Sequence, residues 1–206
     1  CADITKAVEA IAHRGPDGIG IKDFGSVLLA HTRLAVIDPL PEASQPFISD
    51  SGLIGLVFNG EIYNYKELIR DHDLNTRTTS DTEVVLCLYE KLGEECVKLL
   101  DGMFAFAIWD SRKDCLLLAR DRAGEKPLYY AQTNNGFVFG SSIEAILASG
   151  MANFKLKKQS IWDFFSFLWV PEPNTVFENI YALQPGCVMS FYGHEDAVIH
   201  EYPNIF

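Results

Sequence analysis

Apolar residues at Ile4, Ala7, Val8 and Ile11 recur at intervals of three and four, which lays one apolar stripe along a helix over residues 3–12. Asp3 supplies a capping carboxylate at its start, and Gly15-Pro16 ends the run. Beyond it the pattern changes. β-Branched and aromatic segments at 27–29, 53–58, 104–109, 115–119, 128–131 and 137–139 predict strands, some of them separated by turn residues such as Asn134-Asn135-Gly136. Several are unbroken apolar runs rather than alternations, so a sheet covered on both faces is expected. Between them, Ser80-Asp81-Thr82-Glu83 has the form of a capping box opening a helix over 80–91, with Val84, Val85, Leu88 and Leu92 on its apolar side. A shorter helix is expected over 142–147.

After Gly150 the character shifts. Lysines at 155, 157 and 158 precede an aromatic helix over 160–168, and Pro171-Glu172-Pro173-Asn174 makes a stiff connector. Trp162, Phe164, Phe165, Phe167 and Trp169 suit core packing or a domain interface better than a ligand platform. Gly186 and Gly193 flank an apolar stretch at 187–192 that reads as part of a small hairpin. The division expected is a domain core over 1–150, then a helix, connector and hairpin over 151–206 that complete it and lead to a further domain. Nothing repeats internally.

A chain of 206 residues that is 48% hydrophobic can bury a substantial core. Its net charge of −11 disfavours nucleic acid and anionic membranes, which both reward clustered Lys and Arg. Cysteines at 1, 87, 96, 115 and 187 show neither the pairing of a disulfide framework nor zinc-ligand spacing, and a reducing cytoplasm is expected. Neither a membrane-length apolar run nor a signal peptide is evident.

Cys1 changes the picture most. A thiol at a chain start has beside it an α-amine of ordinary pKa about 7.7–8.0, against about 8.5 for the thiol, so the amine can act as the thiol's base. The plainer reading is a loop residue or a truncation point. Asn59-Gly60 likewise has a plain reading, a tight hairpin turn. However, residues 62–67 do not continue as an alternating strand, and Asn64 with Glu67 resembles a helix start, which favours a functional turn.

Six motifs then fall in order: His13-Arg14-Gly15-Pro16-Asp17, His31-Thr32-Arg33-Leu34-Ala35-Val36-Ile37-Asp38, Asn59-Gly60-Glu61-Ile62-Tyr63-Asn64, Ser80-Asp81-Thr82-Glu83, Asp101-Gly102-Met103-Phe104-Ala105-Phe106-Ala107 and Ala119-Arg120-Asp121-Arg122. Together they resemble the glutaminase domain of glutamine-dependent asparagine synthetases, class II glutamine amidotransferases. The likeness extends through Lys126-Pro127-Leu128-Tyr129-Tyr130 to the Leu183-Gln184-Pro185-Gly186 turn.

The resemblance implies an α+β fold, a four-layer α/β/β/α sandwich of the N-terminal nucleophile hydrolase type. It implies Cys1 as nucleophile, with the Asn59 amide and the Gly60 N–H as oxyanion donors. Arg33 would grip the α-carboxylate of glutamine, Asp81 and Glu61 would receive its α-ammonium, and the backbone of Leu34, Ala35, Val36 and Ile37 would line the pocket. Arg33 could instead be a solvated strand-end cation, and Asp81 an acid that merely complements a helix dipole. His13, Arg14 and Asp17 are read as loop-shaping. Phe104 and Phe106 are read as core, and Cys87, Cys96, Cys115 and Cys187 as small buried residues.

Ammonia would pass to an ATP-using synthetase domain, in cis or in trans, and a homodimer is compatible with the sequence. ATP and Mg²⁺ would belong to that other domain, since no phosphate-cradling glycine motif occurs here; neither a cofactor nor a metal is expected in this chain. In one respect the sequence departs from the pattern. Residues 2–12 leave no room for the strand that the family's nucleophile begins, so a segment lost after Cys1, a truncated or degenerate chain, or an unrelated cysteine would each account for it. The alternative functions are a catalytically inactive glutamine-binding or scaffold domain and the glutaminase half of another class II amidotransferase.

Overall fold

The computed structural model describes residues 3–35, 38, 40–134, 136–193 and 197–202. They run in chain order through α1 (Ile4–Ile11), β1 (Gly18–Asp23), β2 (Leu28–Arg33), β3 (Phe47–Ile48), β4 (Ile54–Ile62), α2 (Tyr65–Asp71), α3 (Asp81–Leu92), β5 (Gly102–Asp110) and β6 (Cys115–Arg120). There follow β7 (Tyr129–Thr133), β8 (Gly136–Gly140), α4 (Ile143–Ala148), α5 (Lys158–Phe167), β9 (Tyr181–Ala182), β10 (Cys187–Tyr192) and β11 (Val198–Glu201). Two compact units result, one of Ala12–Lys126 with Pro185–Phe206 and one of Cys1–Ile11 with Pro127–Gln184.

The larger unit is built on a six-stranded sheet in the order β11-β10-β6-β5-β4-β3. Its described pairings are antiparallel. The unbroken apolar runs of β5 and β6 are buried along almost their whole length, as a sheet covered on both faces requires. One face carries the main core. Ile54, Leu56, Phe58 and Ile62 of β4 and Phe104, Phe106 and Ile108 of β5 pack there with Val84, Val85 and Leu88 of α3. Phe104 and Phe106 are both 1% exposed, so the core role expected of them holds. Over the other face of β4 lies the β1–β2 hairpin. A Cβ on Gly55 would come within 2.5 Å of the Phe24 ring and 3.1 Å of Leu29, a packing distance that only glycine permits. The apolar stretch at 187–192 forms its hairpin as β10 and β11, which extends the sheet beyond β6.

In the smaller unit a three-stranded sheet in the order β8-β7-β9 packs on α4 around Ala131, Ile146 and Ile180. The helix predicted at 3–12 is α1, its start capped by the Asp3 carboxylate accepting from the Lys6 N–H at 3.1 Å, and it lies on α4. The aromatic helix is α5, and its outcome corrects part of the expectation. Trp162 is 70% exposed, Phe165 77% and Phe167 60%, so core packing is not what these rings do. Among the described residues no helix is long and apolar enough to cross a membrane.

Candidate active site

The Asn59-Gly60 pair is not a turn. Both residues lie inside β4, opposite Ala105 and Phe104 of β5, and the strand runs unbroken to Ile62. Local preference for a hairpin yields here to nine residues of pairing. Strand alternation decides which backbone groups are left over. The Phe104 N–H and C=O both turn away from β4, bonding the Asp121 carboxylate at 3.2 Å and the Asp121 N–H at 2.8 Å. Gly60, opposite Phe104, therefore directs its own N–H off the other edge of β4. On that edge β3 is only two residues long, so side chains take over. Gln45 Oε1 accepts from the Phe58 N–H at 2.6 Å, and Asp81 Oδ2 accepts from the Ile62 N–H at 2.9 Å. Between them the Gly60 N–H has no such cap among the described residues. Beside it the Asn59 side-chain nitrogen Nδ2 is buried without a partner. Buried donors left unpaired are costly, which marks a place where a ligand oxygen would be welcome. Gly60 itself is obligatory, because a Cβ there would lie 2.2 Å from the Met103 carbonyl oxygen.

The first turn of α3 closes this corner. Ser80 caps the helix from the predicted position, its hydroxyl accepting from the Thr82 N–H at 3.3 Å. Glu83 does not reach back to Ser80 as a capping box would. Its carboxylate instead accepts from the backbone N–H groups of Arg77 and Thr78, the Thr78 hydroxyl and Arg77 Nε. Asp81 is 3% exposed, with Oδ1 on the Thr82 N–H at 2.9 Å and Oδ2 on Ile62. Burial pushes its carboxyl above the usual range, the two N–H groups pull it back, and the nearby Glu61 charge adds to the rise. A buried carboxylate with a second acid acting on it is suited to receive an ammonium.

Arg33 reaches the same corner through its loop. It donates to the Ser44 hydroxyl at 3.0 Å and to the carbonyls of Asp38 at 2.5 Å and Leu40 at 3.0 Å, and two of a guanidinium's five N–H donors have no partner among the described residues. The Asp38 carboxylate in turn takes the N–H and hydroxyl of Thr79, two residues ahead of Asp81. Hydrogen bonds thus connect Arg33, Asp38 and Thr79, and Thr79 stands two residues before Asp81 in the chain. Asp17 accepts from the Ala35 N–H at 2.9 Å, which fits the loop-shaping role expected of it. Leu34 is exposed and Ala35 partly so. Cys1, Val36 and Ile37 lie outside the described residues.

Burial pushes the described thiols up, Cys87 to about 11 and Cys96 to about 12, with Cys115 and Cys187 shifted the same way. None of the four is a ready thiolate. Cys96, Cys115 and Cys187 are buried as expected, while Cys87 is half-buried. One residue at the site escapes a reading by motif, Gln45. Its partner is the Phe58 N–H, 13 positions away in the chain, and no local spacing announces such a contact. Among the described residues no cluster of three or more His, Cys, Asp or Glu could hold a metal ion.

Residues 2–202 match the family described as the glutamine amidotransferase domain. The chain belongs to that family. It is 40% identical to the putative asparagine synthetase [glutamine-hydrolyzing] 2 of Methanocaldococcus jannaschii, over 88% of this chain and 39% of the relative. Asparagine synthetase [glutamine-hydrolyzing] 1 of Bacillus subtilis is 34% identical over 94% of this chain and 31% of its own length. The chain therefore spans well under half of either relative. Among solved structures it is similar to the glutamine phosphoribosylpyrophosphate amidotransferase of B. subtilis complexed with ADP and GMP. The TM-score is 0.69 at 20% identity, covering 96% of this chain and 46% of that one. This glutamine amidotransferase domain thus has the α+β fold of the N-terminal nucleophile hydrolase type that its motifs implied.

Proposed function

We propose that this domain hydrolyses glutamine to glutamate and ammonia. The observation that supports it best is the pair of donors on β4 left open among the described residues, the Gly60 N–H and the buried Asn59 Nδ2, in a unit that also carries Asp81, Glu61 and Arg33. Such a site suits an amino acid whose side-chain carbonyl becomes an oxyanion.

In the reaction the α-amine of Cys1 takes the thiol proton, and sulfur attacks the carboxamide carbon of glutamine. The carbonyl oxygen becomes an oxyanion held by Asn59 Nδ2–H and Gly60 N–H. When the tetrahedral intermediate collapses, the C–N bond breaks and the amine returns its proton to the leaving nitrogen, which departs as ammonia. Water then adds to the thioester, the C–S bond breaks, and glutamate leaves as the thiol is restored. Arg33 meets the substrate α-carboxylate, Asp81 and Glu61 meet its α-ammonium, and the backbone of residues 34–37 lines the pocket.

Ammonia would be delivered to an ATP-dependent asparagine synthetase domain, in cis or in trans, where ATP and Mg²⁺ act. The four described cysteines are unpaired, in keeping with a cytoplasmic setting. The test is glutamate release from glutamine by the chain with a free N-terminal cysteine. Cys1→Ala is expected to abolish it while calorimetry still detects glutamine binding. Equal rates in the two proteins would end the proposal.

A further inference from the structure

We propose that Asp38 is a positioning residue for the substrate grip, its carboxylate joining the loop that seats Arg33 to the chain that leads into Asp81; the inference rests on the glutaminase reading above. The two carboxylate oxygens divide the work. Oδ1 accepts from the Leu40 N–H at 3.1 Å, which closes the loop on itself. The carbonyls of Asp38 and Leu40 then both receive Arg33 Nη2, at 2.5 and 3.0 Å. Oδ2 accepts from the Thr79 N–H at 3.0 Å and the Thr79 hydroxyl at 2.9 Å, 41 positions along the chain. One side chain thus holds both the seat of the guanidinium and the approach to α3.

The consequence falls on the two charged groups that would meet glutamine. Thr79 and Asp81 are joined by two planar peptide units, and Ser80 between them is held in extended backbone while its hydroxyl caps α3. Holding Thr79 at both its N–H and its hydroxyl therefore restrains where Asp81 enters the helix. Asp81 Oδ2 is held in turn by the Ile62 N–H at 2.9 Å, at the end of β4. An α-amino acid carries its carboxylate and its ammonium on one carbon, so the cation and the acid that grip them have to keep a fixed separation. Asp38 supplies hydrogen bonds that span it. Its carboxylate is close to fully buried, the residue being 7% exposed, and without it the N–H groups of Leu40 and Thr79 lose their acceptor. Those donors, the Leu40 N–H foremost, and the Arg33 charge hold the carboxyl below the usual range, which keeps it an acceptor at neutral pH.

Asp38→Ala is expected to raise KM for glutamine hydrolysis by about tenfold to a hundredfold and to leave kcat within about threefold, because the oxyanion donors on β4 are held by other groups. In an Arg33→Ala background the same substitution should raise KM by a clearly smaller factor, since the guanidinium it seats is gone. A factor as large as in the wild-type background would show that Asp38 only supports the fold, and would overturn the inference. Thr79→Val removes the hydroxyl link alone and should raise KM about twofold to tenfold, while Thr79→Ser, which keeps the hydroxyl, should match wild type. Equal KM in the Val and Ser variants would overturn the inference even if Asp38→Ala fails to fold, and so would an unchanged KM in Asp38→Ala. Arg33→Ala by itself separates the two levels of argument. If its KM matches wild type, the substrate grip of the glutaminase reading is wrong and the positioning role goes with it. If its KM rises while that of Asp38→Ala does not, only the positioning role falls.

Discussion

Helices α3 and α5 differ in a way that composition alone would rank backwards. Four of the ten residues of α5 are aromatic, yet only Ser160 is buried. The twelve residues of α3 include three acids, and eight of the twelve are buried, Asp81 and Glu83 among them. The difference lies in what each helix has to cover. α3 lies against the apolar face of β4 and β5, and its first-turn carboxylates are satisfied by the N–H groups of Ile62, Arg77, Thr78 and Thr82. A buried acid is tolerable when hydrogen bonds replace its water. Burial therefore follows the available sheet face and the available donors. The candidate site arises on the helix that met both conditions.

The most direct way to break the comparison is to hollow out the α3 side. Leu88 is fully buried between the helix and the sheet. Leu88→Ala should destabilise the domain by about 2–5 kcal/mol, through lost transfer energy and the cavity left behind. Denaturant unfolding measures it, and a cost below about 1 kcal/mol would mean that α3 is not docked as described.

A smaller effect sharpens the point about acids. Glu83 makes four hydrogen bonds and Asp81 two, and their carboxyls shift in opposite directions. Burial raises both. For Glu83 the Thr78 hydroxyl, the two N–H groups and the Arg77 side chain outweigh it, and the net shift is downward. For Asp81 they do not, and the net shift is upward. A carboxylate depressed in the folded state adds stability that is complete above its unfolded pKa and is lost as pH falls through the folded value. Glu83→Gln should therefore cost about 1.5–3 kcal/mol at pH 7, the range for hydrogen bonds to a charged acceptor. The gap from wild type should close as pH is lowered below 4.5. A gap independent of pH would show that the charge on Glu83 contributes nothing.

The same contrast explains what could be read from the sequence. The runs at 104–109 and 115–119 announced β5 and β6 because a strand buried on both faces has only one pattern available. Ser80 announced the start of α3, although Glu83 bonds outward to Arg77 and Thr78 rather than back to the cap. β1 went unseen because Gly18, Gly20 and Lys22 dilute its pattern and Ile19 and Ile21 are largely exposed. Asn59-Gly60 misled because a dipeptide preference worth a fraction of a turn competes with a nine-residue ladder. The family resemblance grouped Arg33, Glu61 and Asp81, and in the structure hydrogen bonds run from Arg33 through Asp38 to Thr79, two residues before Asp81. Gln45 could not be found this way, since what gives it a role is the N–H of a residue 13 positions away.

The smallest expected effect lies on α5. Phe165 is 77% exposed, and its ring meets the edge of Phe164 at 5.8 Å between centroids, a contact on the helix's own surface. Removing it uncovers no core and breaks no buried hydrogen bond. Phe165→Ser should then change the unfolding free energy by no more than about 0.5 kcal/mol, as for surface positions generally. Denaturant titration at low and at high protein concentration decides the matter. A loss above about 1.5 kcal/mol at low concentration would mean that this face is covered within a single chain, and the contrast with α3 would fail. A loss that appears only at high concentration would instead trace to chains that associate through the aromatic face, since mass action then couples folding to assembly. Single-chain exposure of α5 survives the second result and not the first.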